Sequence, residues 1–338
     1  MIRIALAIFF VALALPAWAD AVDDARICSK RTGDADQDIS VCTRAIEAGE
    51  LSQANLAATH YNRGIAYIDK GEHERAVRDY SAAINLDPEQ SEAYYNRGIA
   101  YNDMGRFEEA IADYSRTLEL SPDNALALYN RAVAYQHANN LDQAIADYSN
   151  VINLDPKDVE AHFNRGNAHR ENRNLDLAII DYNTVLDLHP GHVEAAKIRG
   201  RLHYEMAMNR GNASFLKREY DRALDNYNAA ISARPDSADA YYNRGNVYRY
   251  KNDHEKAIKD YTTAIRMRSD YAPMFMNRGA VYSFIGELDR AISDFSTAIK
   301  LDPNYIIAHL NRGVAYSNTG EYDRAIEDYS AVITLKPD

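Results

Sequence analysis

Tryptophan, cysteine and surplus positive charge are what these 338 residues have least of: one Trp, two Cys, and 38 Lys+Arg against 50 Asp+Glu, for a net charge of −12. So acidic a chain lacks the electropositive footprint that nucleic acid or an anionic lipid surface requires, and neither is expected as a partner. No glycine-rich phosphate loop is present. The ten His are scattered. His162 and His169 stand seven apart on one expected helix, and His189 and His192 flank a Pro-Gly turn, but neither pair has companions at ligand or triad spacing. The cysteines are separated as C-x13-C, which is no metal-ligand spacing. No enzyme, metal site or cofactor is therefore expected. Beyond residue 19 there is no apolar run of membrane-spanning length either.

The first nineteen residues, MIRIALAIFFVALALPAWA, differ from the rest. A basic start at Arg3, an apolar run from Ile4 to Leu15 and a small-x-small end at Ala17-Trp18-Ala19 form a secretory signal peptide, with cleavage expected after Ala19. A membrane anchor would need about 20 apolar residues. The mature chain is expected in the periplasm or outside the cell, without a membrane span, and with tyrosine fluorescence alone because Trp18 leaves with the leader. Cys28 and Cys42 would then enter an oxidising compartment. A disulfide between them would contribute roughly 3 kcal/mol in the chain-entropy picture; two buried free thiols are the alternative.

What the chain has in abundance is a repeat. Asn62, Asn96, Asn130 and Asn164 each open an Asn-Arg-Gly, or once an Asn-Arg-Ala, at intervals of 34 residues, and after a break Asn209, Asn243, Asn277 and Asn311 resume the interval. Eight units start near Ala57, Ser91, Ala125, Val159, Tyr204, Ala238, Ala272 and Ile306. Each reads as two helices. In the unit from Ser91, Tyr94, Gly98 and Tyr101 make an i, i+4, i+7 stripe, a turn follows at Gly105, and Ala110, Tyr114 and Thr117 make a second stripe before Pro122. This order of aromatic, Gly, Tyr, Ala, aromatic and Pro resembles the tetratricopeptide repeat, over about Ala57 to Asp338. The resemblance implies an all-α fold, a right-handed superhelical solenoid of antiparallel helix pairs whose first helices line a concave groove. It also implies a non-catalytic scaffold for a protein or peptide partner.

Arg takes the place of the family's usual Leu, Ser269 replaces the helix-ending Pro of the sixth unit, and eleven extra residues, 193–203, precede the fifth. Three helical turns would absorb those eleven by lengthening the first helix, although NRGNAS could instead form a loop. Upstream, Ile39, Cys42 and Ala45 mark the second helix of a degenerate hairpin. The expected organisation is a leader at 1–19, a disulfide-stapled capping hairpin at 20–56, four units at 57–192, a helical insertion at 193–203 and four units at 204–338. Unit five is expected to be the weak joint. The last helix, Asp323 to Leu335, is expected to leave Ala325, Tyr329 and Val332 open for end-to-end self-association.

Sixteen residues after each Arg of the tripeptide stands an Asp, from Asp79 to Asp328, except at Arg210, which is matched by Asn226. A charge-assisted bridge between the paired helices is expected. The Asn has no such match, and it is a poor interior helix residue. On a helical wheel it faces the groove beside a row made by Tyr61, Tyr95, Tyr129, Phe163, Met208, Tyr242, Met276 and Leu310. Its planar amide complements a peptide bond, so a ladder of eight would hold an extended backbone; alternatively each Asn ties adjacent units together. Carbohydrate or cell-wall binding through the Tyr row is the other reading. A clamp for a terminal carboxylate is not expected, because the sites that would carry Lys hold Tyr, Phe or Met.

Overall fold

The computed structural model describes residues 17–336. The expected leader lies outside the described residues up to residue 16, as does the closing Pro337-Asp338. Among the described residues every regular element is a helix, and the chain divides into two compact segments at His192/Val193.

The first segment opens with α1 (Ala17–Lys30) and α2 (Ala35–Glu47), which form a hairpin joined by a Cys28–Cys42 disulfide with a Cα–Cα distance of 5.1 Å. Val41, Cys42 and Ala45 are the buried apolar residues of α2, whereas Ile39 is only half-buried. Both helices pack on α3. Four pairs follow: α3 (Gln53–Asp69) with α4 (His73–Leu86), α5 (Ser91–Asp103) with α6 (Phe107–Leu120), α7 (Ala125–His137) with α8 (Leu141–Leu154), and α9 (Val159–Glu171) with α10 (Leu175–Leu188). In each, the earlier helix is called A and the later B. Every A packs on its own B, and every B on the next A within the segment.

The second segment opens with α11 (Val193–Leu216), one helix of 24 residues that includes both the eleven extra residues and NRGNAS. Its buried residues fall in two groups, Ala195, Ile198 and Leu202 within about 60° of one another and Ala207 with Gly211 turned roughly 120–160° from Ala195, so the added turns bury a face of their own ahead of the repeat's. Its partner is α12 (Tyr220–Ala233). The pairs α13 (Ala238–Tyr250) with α14 (His254–Met267), α15 (Ala272–Phe284) with α16 (Leu288–Leu301) and α17 (Ile306–Thr319) with α18 (Tyr322–Leu335) complete it.

Local chemistry sets these boundaries. Asn124, Asp158 and Ser237 cap A helices by accepting from the N–H three residues on, at 3.0, 2.9 and 3.2 Å. B helices stop where the next residue turns extended, as Asp87 does before Pro88, because proline disfavours helix in the residue before it. Arg268 adopts the same geometry, φ −142° and ψ 98°, although Ser269 follows it. The packed repeat imposes this stop without the proline. In α18, Ala325 is buried and Tyr329 and Val332 are half-buried, since this stripe faces its own A helix; the exposed apolar residues are Tyr322, Ile326 and Ile333.

Each A-to-B turn holds one residue in the left-handed region, at the same place in all eight units. It is Gly71, Gly105, Gly286 or Gly320 in four, and Asn139, Arg173, Arg218 or Asn252 in the others. A residue with a Cβ is strained there by about 1–2 kcal/mol relative to the right-handed form. Replacing Arg173, at φ 62°, by Gly is expected to stabilise the first segment by up to about 1 kcal/mol, after glycine's larger unfolded-state entropy is subtracted. A thermal or urea melt with an unchanged or lower midpoint would refute this.

Candidate functional site

The three residues of the repeated tripeptide point in three directions. In the third unit, Arg131 donates from Nε and Nη2 to the two carboxylate oxygens of Asp147 at 2.7 and 2.9 Å. Its Nη1 donates to Ser115 Oγ, on the preceding B helix, at 3.0 Å. The same fork and third arm recur around Arg63, Arg97, Arg165, Arg244, Arg278 and Arg312, whose third arms reach Thr43, Ser81, Ser149, Asn228, Thr262 and Ser296. All seven aspartates are buried. In unit five Asn226 stands at the Asp position and donates to the Arg222 carbonyl at 2.8 Å.

A fourth group joins the fork in three units. His60 and His309 meet Asp79 and Asp328 through Nδ1 at 2.9 Å, and His162 meets Asp181 at 3.4 Å. Burial works to raise the Asp79 carboxyl, but the Arg63 and His60 bonds together outweigh it and hold the group below its ordinary value. At Asp113, where Tyr94 replaces the His, burial outweighs Arg97 alone and the carboxyl lies above.

Glycine occupies the third place because of what it touches. A Cβ on Gly98 would fall 2.8 Å from Cε1 of Tyr114, the fully buried ring beside Asp113. Unit three carries Ala132 there, and its ring pair Tyr129–Tyr148 stands at 73° where Tyr95–Tyr114 stands at 52°. The two rings meet more steeply in the unit that carries the methyl group.

The asparagines reach the preceding A helix. Asn96, Asn130, Asn164 and Asn277 donate from Nδ2 to the hydroxyls of Tyr61, Tyr95, Tyr129 and Tyr242 at 2.8, 2.9, 2.6 and 2.8 Å. Asn243 donates to Asn212 Oδ1 at 3.2 Å, and Asn311 points at Met276 Sδ. The expectation of an amide with both donor and acceptor open is corrected at these positions: a donor is spent inside the array, because the Tyr of one unit ends where the Asn of the next begins. Asn62 instead lines a cavity of about 180 Å³ between Val22 of α1 and Thr59 of its own helix α3, and Asn209 is exposed.

The row beside the ladder is half-buried except at Leu310, which is exposed. Tyr61, Tyr95, Tyr129, Phe163 and Tyr242 each pack on the aromatic ring of their own B helix, with centroids 5.7 to 5.9 Å apart. Burial raises the hydroxyls of Tyr61, Tyr95, Tyr129 and Tyr242 above their usual range, against the Asn bonds that lower them. In the second segment a cavity of about 280 Å³ opens on this face, lined by Asn212, Phe215, Leu216, Tyr227, Asn243 and Asn246. Asn212 Oδ1 accepts from Tyr227, and Asn246 Oδ1 from Tyr261, both at 2.7 Å. No group of His, Cys, Asp and Glu among the described residues is arranged to hold a metal.

Family profiles described as tetratricopeptide repeat match residues 91–124, 114–146, 159–192, 238–271 and 306–338, and one described as TPR repeat matches 64–105, 137–173, 211–249 and 285–320. The chain belongs to the tetratricopeptide repeat family. Among solved structures it is similar to residues 41-end of MamA from Desulfovibrio magneticus RS-1, at 18% identity and TM-score 0.46 over 52% of this chain and 97% of that one. A tetratricopeptide repeat protein from Parabacteroides merdae gives 21% and 0.42 over 77% and 98%. YrrB, described as a TPR protein with an unusual peptide-binding site, gives 20% and 0.35 over 67% and 93%. No curated protein matches the chain.

In this tetratricopeptide array the sequence reading missed the third arm of each Arg. The signal was a Ser, Thr or Asn directly after the B-helix aromatic, as in Tyr114-Ser115, at 34-residue intervals within each run of units; Thr43, in the capping hairpin, follows Cys42 instead. Arg131→Met would leave Asp147, 4% exposed, as a buried carboxylate without its fork. The expected loss is about 3–5 kcal/mol, and adding Asp147→Leu should restore most of it, since a buried ion pair replaced by apolar packing is often neutral. Urea titration of both variants checks this; equal destabilisation of the single and double variants would refute it.

Proposed function

We propose that the chain is a non-catalytic interaction scaffold that holds an extended segment of a partner polypeptide along the face formed by its A helices. One observation carries the reading. Asn96, Asn130 and Asn164 are each pinned through Nδ2 to the preceding Tyr, while their Oδ1 atoms accept no hydrogen bond within the described residues. An amide fixed at one end presents its other end as a pre-oriented acceptor, once per repeat. Neighbouring A helices are in contact, which places them about 8–10 Å apart, or about three residues of extended chain. Acceptors at that spacing suit backbone N–H groups whatever the side chains between them.

The half-buried aromatic row offers ring edges beside each acceptor. A carbohydrate reading would need the tyrosine faces open, and they are instead packed against B-helix rings with their hydroxyls engaged. The disulfide between Cys28 and Cys42 supports folding in an oxidising compartment, the periplasm or the cell exterior. No helix among the described residues is long and apolar enough to cross a membrane.

Replacing Asn96, Asn130 and Asn164 by Ala tests the reading on two axes. Each lost acceptor is expected to weaken binding of unrelated peptides by a similar amount, roughly 0.5–1.5 kcal/mol. The same variant also loses three bonds between units, so a lower melting temperature is expected. Tyr61, Tyr95 and Tyr129 changed to Phe remove those bonds and keep the acceptors. If the Phe variant and the Ala variant lose stability alike and both bind peptides unchanged, the asparagines only join repeats and the peptide reading falls.

A further inference from the structure

Repeats five to seven differ from the others seven residues after the asparagine, two turns on along the same face. In the first segment that place holds Asp69, Asp103, His137 and Glu171. In the second it holds Leu216, Tyr250 and Phe284, which are 82%, 54% and 73% exposed, before Asn318 returns in the last unit. Helix α11 touches α13, and α13 touches α15, so the three side chains form a ridge at one register of adjacent A helices. Contiguous apolar surface of this kind marks an interaction site.

Charge along the ridge runs against the chain's net −12. Lys217 and Arg218 follow α11 directly, and Arg249 stands in the last turn of α13 with its guanidinium 4.9 Å from the Tyr250 ring centroid. None of the three has a carboxylate within ion-pair distance among the described residues. The nearby acids are already taken, Glu219 by Arg222, Asp221 by Lys251 and Asp253 by Lys256. The Nε of Arg249 is buried and makes no hydrogen bond. Asn212, at the neighbouring cavity, spends its Oδ1 on Tyr227 and Asn243, so its N–H groups remain as donors. Unpaired cations, amide donors and a bare apolar ridge together call for a ligand that is anionic and apolar at once.

We propose that the A-helix face of repeats five to seven takes a polypeptide segment in which an acidic side chain meets Arg249 and apolar side chains about three positions to either side cover Leu216 and Phe284. The spacing follows from about 8–10 Å between adjacent A helices and about 3.3 Å per extended residue. The inference deepens the scaffold reading and rests on it.

The test uses the full chain and end-capped nine-residue peptides with Leu at the second and eighth positions, Asp, Asn or Lys at the fifth, and Ser or Ala elsewhere. Fluorescence anisotropy of labelled peptides gives the affinities. The Asp peptide is expected to bind about tenfold more tightly than the Asn peptide, with the Lys peptide weakest, and the preference should shrink as salt is raised. Arg249→Gln is expected to abolish the preference. Leu216→Ser with Phe284→Ser, both exposed sites, should weaken all three peptides together. Lys217→Gln with Arg218→Gln repeats the charge test outside the packed helix face, and should reduce the preference in part even if Arg249→Gln disturbs folding. Equal binding of the Asp, Asn and Lys peptides, or a preference that survives both charge variants, overturns this inference and leaves the scaffold reading standing. Failure of every peptide to bind overturns both.

Discussion

A carboxylate buried between two helices must have its lone pairs answered, and in seven of the eight repeats an arginine fork answers them, joined by a histidine in three. The planar fork fixes how the A helix is rotated against its B helix. The remaining nitrogen fixes the unit against the B helix before it, as Arg97 does through Ser81. Because Arg and Gly are adjacent, and their partners Asp and Tyr are adjacent sixteen residues on, the register that makes the fork also presses the ring of Tyr114 onto Gly98. Unit three admits only a methyl group there, at Ala132, and keeps its fork at 2.7 and 2.9 Å with a steeper ring pair.

The tripeptide is therefore a joint with three contacts, and this accounts for its recurrence better than ligand binding alone. Asn reaches the preceding A helix, Arg the preceding and present B helices, and Gly the present B-helix ring. In an array where each unit meets only its neighbours, such a joint has to be present in every unit to act at every interface. Its weight lies in specificity as much as in net energy, since desolvation of Asp and Arg offsets much of their attraction.

The helix pairs were legible because the apolar periodicity returns in all eight units, the Pro stop in seven and the Gly turn in four, so that a unit lacking one signal is read from the others. The Arg–Asp match was legible for a similar reason, as opposite charges at a constant offset. The third arm was not, because Ser and Thr are common and their partner sits in another unit. Nor was the direction of the Asn donors: a helical wheel places Tyr95 and Asn130 on one face but does not give the distance from a hydroxyl in one repeat to an amide in the next. The face of α18 was assigned wrongly because Ala325, Tyr329 and Val332 continue the stripe that packs inward, whereas Ile326 and Ile333 carry the face that earlier B helices, through residues such as Ile84 and Ile152, bury against a following repeat. Arg268 shows the limit of local rules from the other side, keeping a proline-like stop with no proline after it.

With the tripeptide committed to holding units together, the A-helix face changes along the chain at residues that the joint leaves free to vary. Two such places lie on the same face, three and seven residues after the Asn. The first is Ile65, Ile99 and Val133 early in the chain, and Asn167, Asn212 and Asn246 in the middle. The second passes from Asp69 and Asp103 to Leu216, Tyr250 and Phe284. The inner row is apolar in units one to three, amide in units four to six and apolar again at Ala280 and Val314, while the lip changes at the segment boundary, from Asp69, Asp103, His137 and Glu171 to Leu216, Tyr250 and Phe284. In seven of the eight pairs the same fork sets how the two helices meet. The two faces therefore differ in chemistry at positions that the joint does not use, which is why they can diverge without disturbing the packing of the helix pairs beneath them.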